Sequence, residues 1–97
     1  MYMRISWGRI KPGMWDEYER RYAEVADAVG GPKPVSRWLV RDINDPNAGY
    51  SVSLWDNEAD LMTYASDPET RRKVQDTFGD LFTGEYETRL CRVQQSS

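Results

Sequence analysis

The sequence predicts one α+β domain over residues 1–97, a ferredoxin-like β-α-β-β-α-β unit with a four-stranded antiparallel sheet and its helices on one face. Three observations lead there. Residues 3–10, 35–40, 50–55 and 85–94 alternate between two kinds of side chain, the two-residue period of a strand whose faces are covered differently. Apolar residues spaced by three and four separate the first run from the second and the third from the fourth, as helices would. The second and third runs are joined only by a polar loop, which suits an antiparallel hairpin.

In the first strand, Met3, Ile5 and Trp7 alternate with Arg4, Ser6 and Gly8. Lys11-Pro12-Gly13 ends it, since proline fixes its own φ and glycine permits a tight turn. Trp15, Tyr18, Tyr22, Val25 and Val29 then share one helical face, with Asp16, Glu17, Glu19 and Arg20 on the other side, and Gly30-Gly31-Pro32 closes the helix. In the second strand, Val35, Arg37 and Leu39 alternate with Ser36, Trp38 and Val40. The loop from Asp42 to Gly49 carries Asp45-Pro46-Asn47.

Tyr50, Val52 and Leu54 alternate with Ser51, Ser53 and Trp55 in the third strand. Asp56 or Asn57 caps a short helix whose apolar face is Leu61, Met62 and Ala65. Asp67 caps a second piece with Pro68 at its first position, and Val74, Phe78, Leu81 and Phe82 fall on one face. Gly79 costs about 1 kcal/mol relative to alanine inside a helix, so a break or kink is expected there. After Thr83-Gly84 the last strand, 85–94, has Tyr86 and Leu90 on one side and Cys91 and Val93 on the other; Gln94 to Ser97 is expected to be a loose tail.

Composition narrows the function. The formal net charge is −3 and Arg71-Arg72-Lys73 is the one basic cluster, read as a solvated helix face, so no nucleic-acid partner is expected. No stretch has signal-peptide or membrane-spanning character, and the lone Cys91 forms no internal disulfide; a cytoplasmic protein with no membrane partner is the expectation. The chain contains no histidine, which removes the commonest general base and metal ligand, so neither a metal nor another cofactor is expected.

The sheet has two unlike faces. One carries Met3, Ile5, Trp7, Tyr50, Val52 and Leu54, more apolar surface than a soluble monomer usually exposes, and predicts a homodimer joined through it. The other carries Arg4, Ser6, Gly8, Ser51, Ser53 and Trp55 beneath the aromatic helix. Small strand residues there either leave a cavity for a small hydrophobic or aromatic ligand or are filled by the rings of Trp15, Tyr18 and Tyr22. Arg4 either stabilises an enolate or phenolate in that space or pairs with a helix carboxylate. Trp55 is either a packing residue or a site residue, and Tyr64 faces either the pocket mouth or solvent.

Lys11-Pro12-Gly13-Met14-Trp15-Asp16-Glu17-Tyr18, placed after a short strand, resembles the Lys-Pro-Gly helix start of the antibiotic biosynthesis monooxygenase family. Val52-Ser53-Leu54-Trp55-Asp56-Asn57-Glu58-Ala59 resembles that family's strand-Trp-helix junction, and the likeness in order and spacing runs over nearly the whole chain. The resemblance implies a dimeric α+β barrel, two ferredoxin-like subunits joined sheet to sheet, each with a pocket between sheet and helices. It implies a cofactor-independent monooxygenase-like activity on a small aromatic or polyketide-type substrate, whose electron-rich anion itself reacts with O₂. A non-enzymatic small-molecule-binding protein, or an isomerase or cyclase on the same barrel, is the alternative.

Carried over residue by residue, the oxygenases' tryptophan falls on Trp55, their strand asparagine on Ser51 and their helix tyrosine on Leu61. In the haem-degrading branch the first-strand asparagine falls on Ser6, the helix tryptophan on Tyr64 and the haem-ligating histidine near Val74. None of those three is retained, so the resemblance does not extend to haem degradation. The expected pocket is therefore Arg4, Ser6, Ser51, Ser53, Trp55 and Tyr64.

Overall fold

The first strand of the chain lies inside the sheet, with another strand hydrogen-bonded along each of its edges. In the computed structural model, which describes residues 1–28 and 30–96 and the side chains of all of these but 26–28, the elements are β1 (Tyr2–Ile10), α1 (Trp15–Ala28), β2 (Ser36–Arg41), β3 (Ala48–Trp55), α2 (Glu58–Ser66), α3 (Pro68–Phe78) and β4 (Phe82–Arg92). The places expected for Val29 and Ser97 lie outside the described residues. The strands run in the order β2-β3-β1-β4, each pair antiparallel. This is the ferredoxin-like arrangement, with the second helical segment in two pieces.

Register follows the alternation. Met3 faces Leu54, Ile5 faces Val52 and Trp7 faces Tyr50, while Arg4 faces Ser53, Ser6 faces Ser51 and Gly8 faces Gly49. Like residues therefore share a face, as a period of two requires. The hairpin between β2 and β3 is tighter than expected. The Asp42 carboxylate accepts from the Asn44 and Asp45 N–H groups at 2.7 and 3.2 Å, and Asp42 N–H reaches Ala48 O at 2.9 Å. Pairing thus begins at Ala48 rather than Tyr50.

The second correction concerns the α3–β4 junction. Leu81 and Phe82 were expected on the helix face with Val74 and Phe78. Instead α3 stops at Phe78, where Gly79 N–H closes on Gln75 O at 2.8 Å. Leu81 plugs the turn, its carbonyl accepting from Lys11 N–H at 2.9 Å, and Phe82 already pairs with Ile10. β4 therefore starts three residues early. It accommodates the surplus by a bulge between the Gly8 and Ile10 pairings, where Gly84 adopts φ +93°, a conformation that favours glycine. Met62, expected on an apolar face, is exposed, and Leu61 alone of that trio is buried.

Helix ends obey local chemistry. Asn57 caps α2 by accepting from Asp60 N–H at 2.8 Å. Asp67 caps α3, accepting from Glu69 N–H at 3.2 Å and the Thr70 hydroxyl at 2.8 Å, with Pro68 in the first turn. Arg21 ties α1 to the end of α3: its guanidinium donates to Glu17 at 2.9 Å, to Thr77 O at 2.9 Å and to Asp80 at 2.8 Å. Arg20 and Arg21 together hold the Glu17 carboxyl down to about 2.

Packing is dense at the two ends of β1 and open between them. At one end Ile10, Trp15 and Leu81 form a buried cluster, with Met14, Tyr18, Leu39 and Phe82 against it. Trp15 lies so close to β3 that a Cβ on Gly49 would strike both its ring and the Val40 carbonyl. At the other end Tyr2 faces Trp55, and Trp55 and Leu61 are fully buried.

Candidate functional site

Between those two plugs the helices stand off the sheet and leave a partly open cavity of about 700 Å³. Its floor is the small-residue row of the central strands, with Arg4, Ser6, Gly8, Gly49 and Ser51, flanked by Arg37 from β2 and Thr88 and Leu90 from β4. Its walls are Tyr18, Tyr22 and Val25 of α1, Tyr64 and Ala65 of α2, and Val74 and Phe78 of α3. The rings do not fill the space because they pack on one another. Tyr18 meets Trp15, Tyr22, Phe78 and Phe82 edge-on at centroid distances of 5.3, 6.1, 5.0 and 6.4 Å.

Of the six residues expected at a pocket, Arg4, Ser6, Ser51 and Tyr64 line this cavity. Ser53 and Trp55 do not. Trp55 is 1% exposed, stacks at 5.1 Å on Tyr64 and donates Nε1–H to Ser53 Oγ at 2.9 Å. Ser53, 6% exposed, is thereby pinned to its neighbour. Both sit behind Tyr64, because α2 folds back over the end of β3 and closes that side.

Arg4 is the most unusual group present. Its guanidinium carbon lies 5.8 Å from the Tyr64 ring centroid, within cation–π range. Its Nε–H is buried and has no acceptor among the described residues. Among the described residues it makes no ion pair with a helix carboxylate: in α1, Asp16 and Glu19 are exposed, Glu17 is held by Arg20 and Arg21, and Glu24 by Arg20. A buried N–H of a charged group without an acceptor is rare and marks Arg4 as a candidate anion-binding group.

The remaining polar groups come in pairs. Tyr22 Oη and Ser51 Oγ lie 2.6 Å apart, and Ser6 Oγ and Thr88 Oγ1 2.8 Å apart. Burial pushes the Tyr18 phenol up to about 12 and raises that of Tyr22, so both keep their protons at neutral pH. The wall is cationic in an acidic chain: among the described residues Arg4, Arg9, Arg37 and Arg71 line it with one carboxylate, Glu85. Glu85 is itself bonded to Arg9, which also holds Asp45 at 2.8 Å. Among the described residues no three His, Cys, Asp or Glu side chains gather as a metal site would need, and no helix is long and apolar enough to cross a membrane.

Sequence reasoning named Tyr22 as a helix aromatic but did not place it at the site, and it passed over Arg37 and Thr88. Parity held a signal for two of these. Arg37 alternates with the apolar Trp38 and Val40, and Thr88 falls opposite Ser6 once β4 is paired with β1.

Fold and cavity define a class: a small ferredoxin-like α+β protein with an aromatic, cationic chamber between sheet and helices. Solved structures described as antibiotic biosynthesis monooxygenases share this fold. One from Bordetella bronchiseptica, provisionally so named, superposes with a TM-score of 0.82 at 15% identity, covering 97% of both chains. SnoaB, a cofactor-independent oxygenase from Streptomyces nogalater, gives 0.77 at 17% identity over 98% of this chain and 94% of its own. A provisionally named member from Chloroflexus aurantiacus gives 0.67 at 21% identity over 99% and 96%. No protein-family model and no curated protein sequence matches the chain. At these identities what is shared is the fold.

Proposed function

We propose that the cavity binds a small electron-rich aromatic or polyketide-type compound as its phenolate or enolate and exposes that anion to O₂, as a cofactor-independent monooxygenase. The carrying observation is Arg4, a half-buried arginine whose buried Nε–H has no acceptor among the described residues of an aromatic chamber. Such a charge lowers the pKa of a bound phenol, which then loses its proton to water without a protein base. The anion's methylene carbon is oxidised and O₂ is reduced. A C–O bond forms, and one proton taken up gives a hydroperoxide. Loss of the carbon's remaining hydrogen as a proton, with O–O cleavage, leaves a carbonyl and water. The net change is CH₂ + O₂ → C=O + H₂O. The Tyr22–Ser51 pair, protonated at neutral pH, is the donor to the peroxide oxygen.

Oxygen-electrode measurements with an anthrone should show one O₂ consumed per quinone formed, faster than autoxidation. Tight anaerobic binding without oxygen uptake would replace this reading with that of a binding protein. The second reading draws support from Glu85, the one carboxylate among the described lining residues, being engaged by Arg9.

The open face of the sheet completes the proposal. Trp38 and Val40 join the six expected interface residues there, and Trp38, Val40 and Tyr50 are 45, 43 and 37% exposed. A second copy docked sheet to sheet would cover them, each burial worth roughly 1.5–3 kcal/mol when complete. Sedimentation should return twice 11.3 kDa at micromolar concentration. A mass of one chain would dismiss the dimer.

A further inference from the structure

The cavity floor holds two guanidinium groups on one cross-strand row. Arg4 of β1 and Arg37 of β2 both face Ser53 of β3 in the register. The two arginines therefore leave the sheet on the same side, one strand to either side of a serine. Strands lie about 4.8 Å apart, so their Cα atoms are about 10 Å apart. Ser53 itself is covered by the Trp55 indole, which donates to its hydroxyl at 2.9 Å, so the open space that the two guanidinium groups share lies over the neighbouring Ser6 and Ser51. Both arginines line the same cavity. Tyr22, bonded to Ser51 at 2.6 Å, lines that cavity with them.

Arg37 is already engaged within the protein. A guanidinium carries five N–H donors in a fixed fork, enough to serve an internal partner and a ligand oxygen together. One phenolate satisfies one arginine. The second charge, at that spacing, matches a second anionic group at the far end of a flat ligand.

We propose that the ligand is a dianion, an aromatic compound with its phenolate or enolate on Arg4 and a carboxylate on Arg37. This rests on reading the cavity as an anion site for electron-rich aromatics. The assignment of ends follows from position. Arg4 sits on a central strand with a buried donor, which suits the softer, delocalised anion. Arg37 sits on the edge strand β2, where the strongly hydrated carboxylate loses less water.

The test compares 2-naphthol, 2-naphthoate and 6-hydroxy-2-naphthoate, whose two groups stand at opposite ends of the ring system. Binding to the wild-type chain is followed by calorimetry and tryptophan fluorescence under argon. The hydroxy acid is expected to bind at least 10-fold tighter than 2-naphthol, and Arg37→Gln should erase that margin by weakening the hydroxy acid far more than 2-naphthol. If the hydroxy acid binds no tighter than 2-naphthol, or Arg37→Gln weakens both equally, the dianion is overturned and the monoanion site stands. If none of the three binds, both readings fall. The wild-type comparison decides the matter even where the variant does not fold.

Discussion

Arg4→Gln should weaken binding of an aromatic phenolate about 10- to 100-fold and leave the protein at least as stable as before. The two halves of this expectation have one cause. A hydrogen bond to a charged group contributes about 1.5–3 kcal/mol when both partners are out of water, which is that range of affinity. Without ligand, the Arg4 Nε–H has been taken from water and given nothing in return. Burying a charged group without full compensation is destabilising. Glutamine keeps much of the side chain's length and a polar tip but drops the charge. A residue held for packing alone would behave in the opposite way, losing stability and leaving affinity intact. Thermal melts of the free protein and fluorescence titration with 2-naphthol separate the two. A fall in melting temperature with unchanged affinity would remove Arg4 from the site.

Why Arg4 lacks a partner could not be read from its own neighbourhood in the chain. Asp16 and Glu19 of α1 stay exposed to solvent, and spacing commits Glu17 and Glu24 locally. Glu17 lies three and four residues from Arg20 and Arg21, and Glu24 lies four from Arg20, so these pairs form within one helix face at little entropic cost. The alternation of Met3 through Gly8 against Tyr50 through Trp55 was legible because a two-residue period tolerates no slip once one face is buried. The start of β4 was not, because it depends on Gly84 accepting φ +93° and on Leu81 being captured by Lys11, a contact between residues seventy apart. Trp55 shows the same limit. Its parity placed it on the helix side, but only the path of α2 sets Tyr64 between it and the cavity.

Trp55→Ala should be the most destabilising of the substitutions considered, by about 3–5 kcal/mol. The ring is 1% exposed, and its removal takes away the stack on Tyr64 and the donor to the buried Ser53 hydroxyl. A domain of this size is stable by about 5–15 kcal/mol, and each kcal/mol moves its melting point by about 4–8 °C, so a drop of tens of degrees is expected. That variant cannot distinguish scaffold from chemistry, since loss of fold removes turnover as well. Trp55→Phe can. It retains a ring against Tyr64 and gives up the Nε1–H bond, an expected loss of about 1–2 kcal/mol including the smaller volume. Because the indole does not line the cavity, the phenylalanine variant should bind 2-naphthol within about 2-fold of wild type, a change below 0.5 kcal/mol. Oxygen uptake should follow binding. A Trp55→Phe protein that stays folded and binds normally yet loses turnover 100-fold would make the indole a participant in the chemistry, acting through Tyr64 or through a rearranged cavity wall.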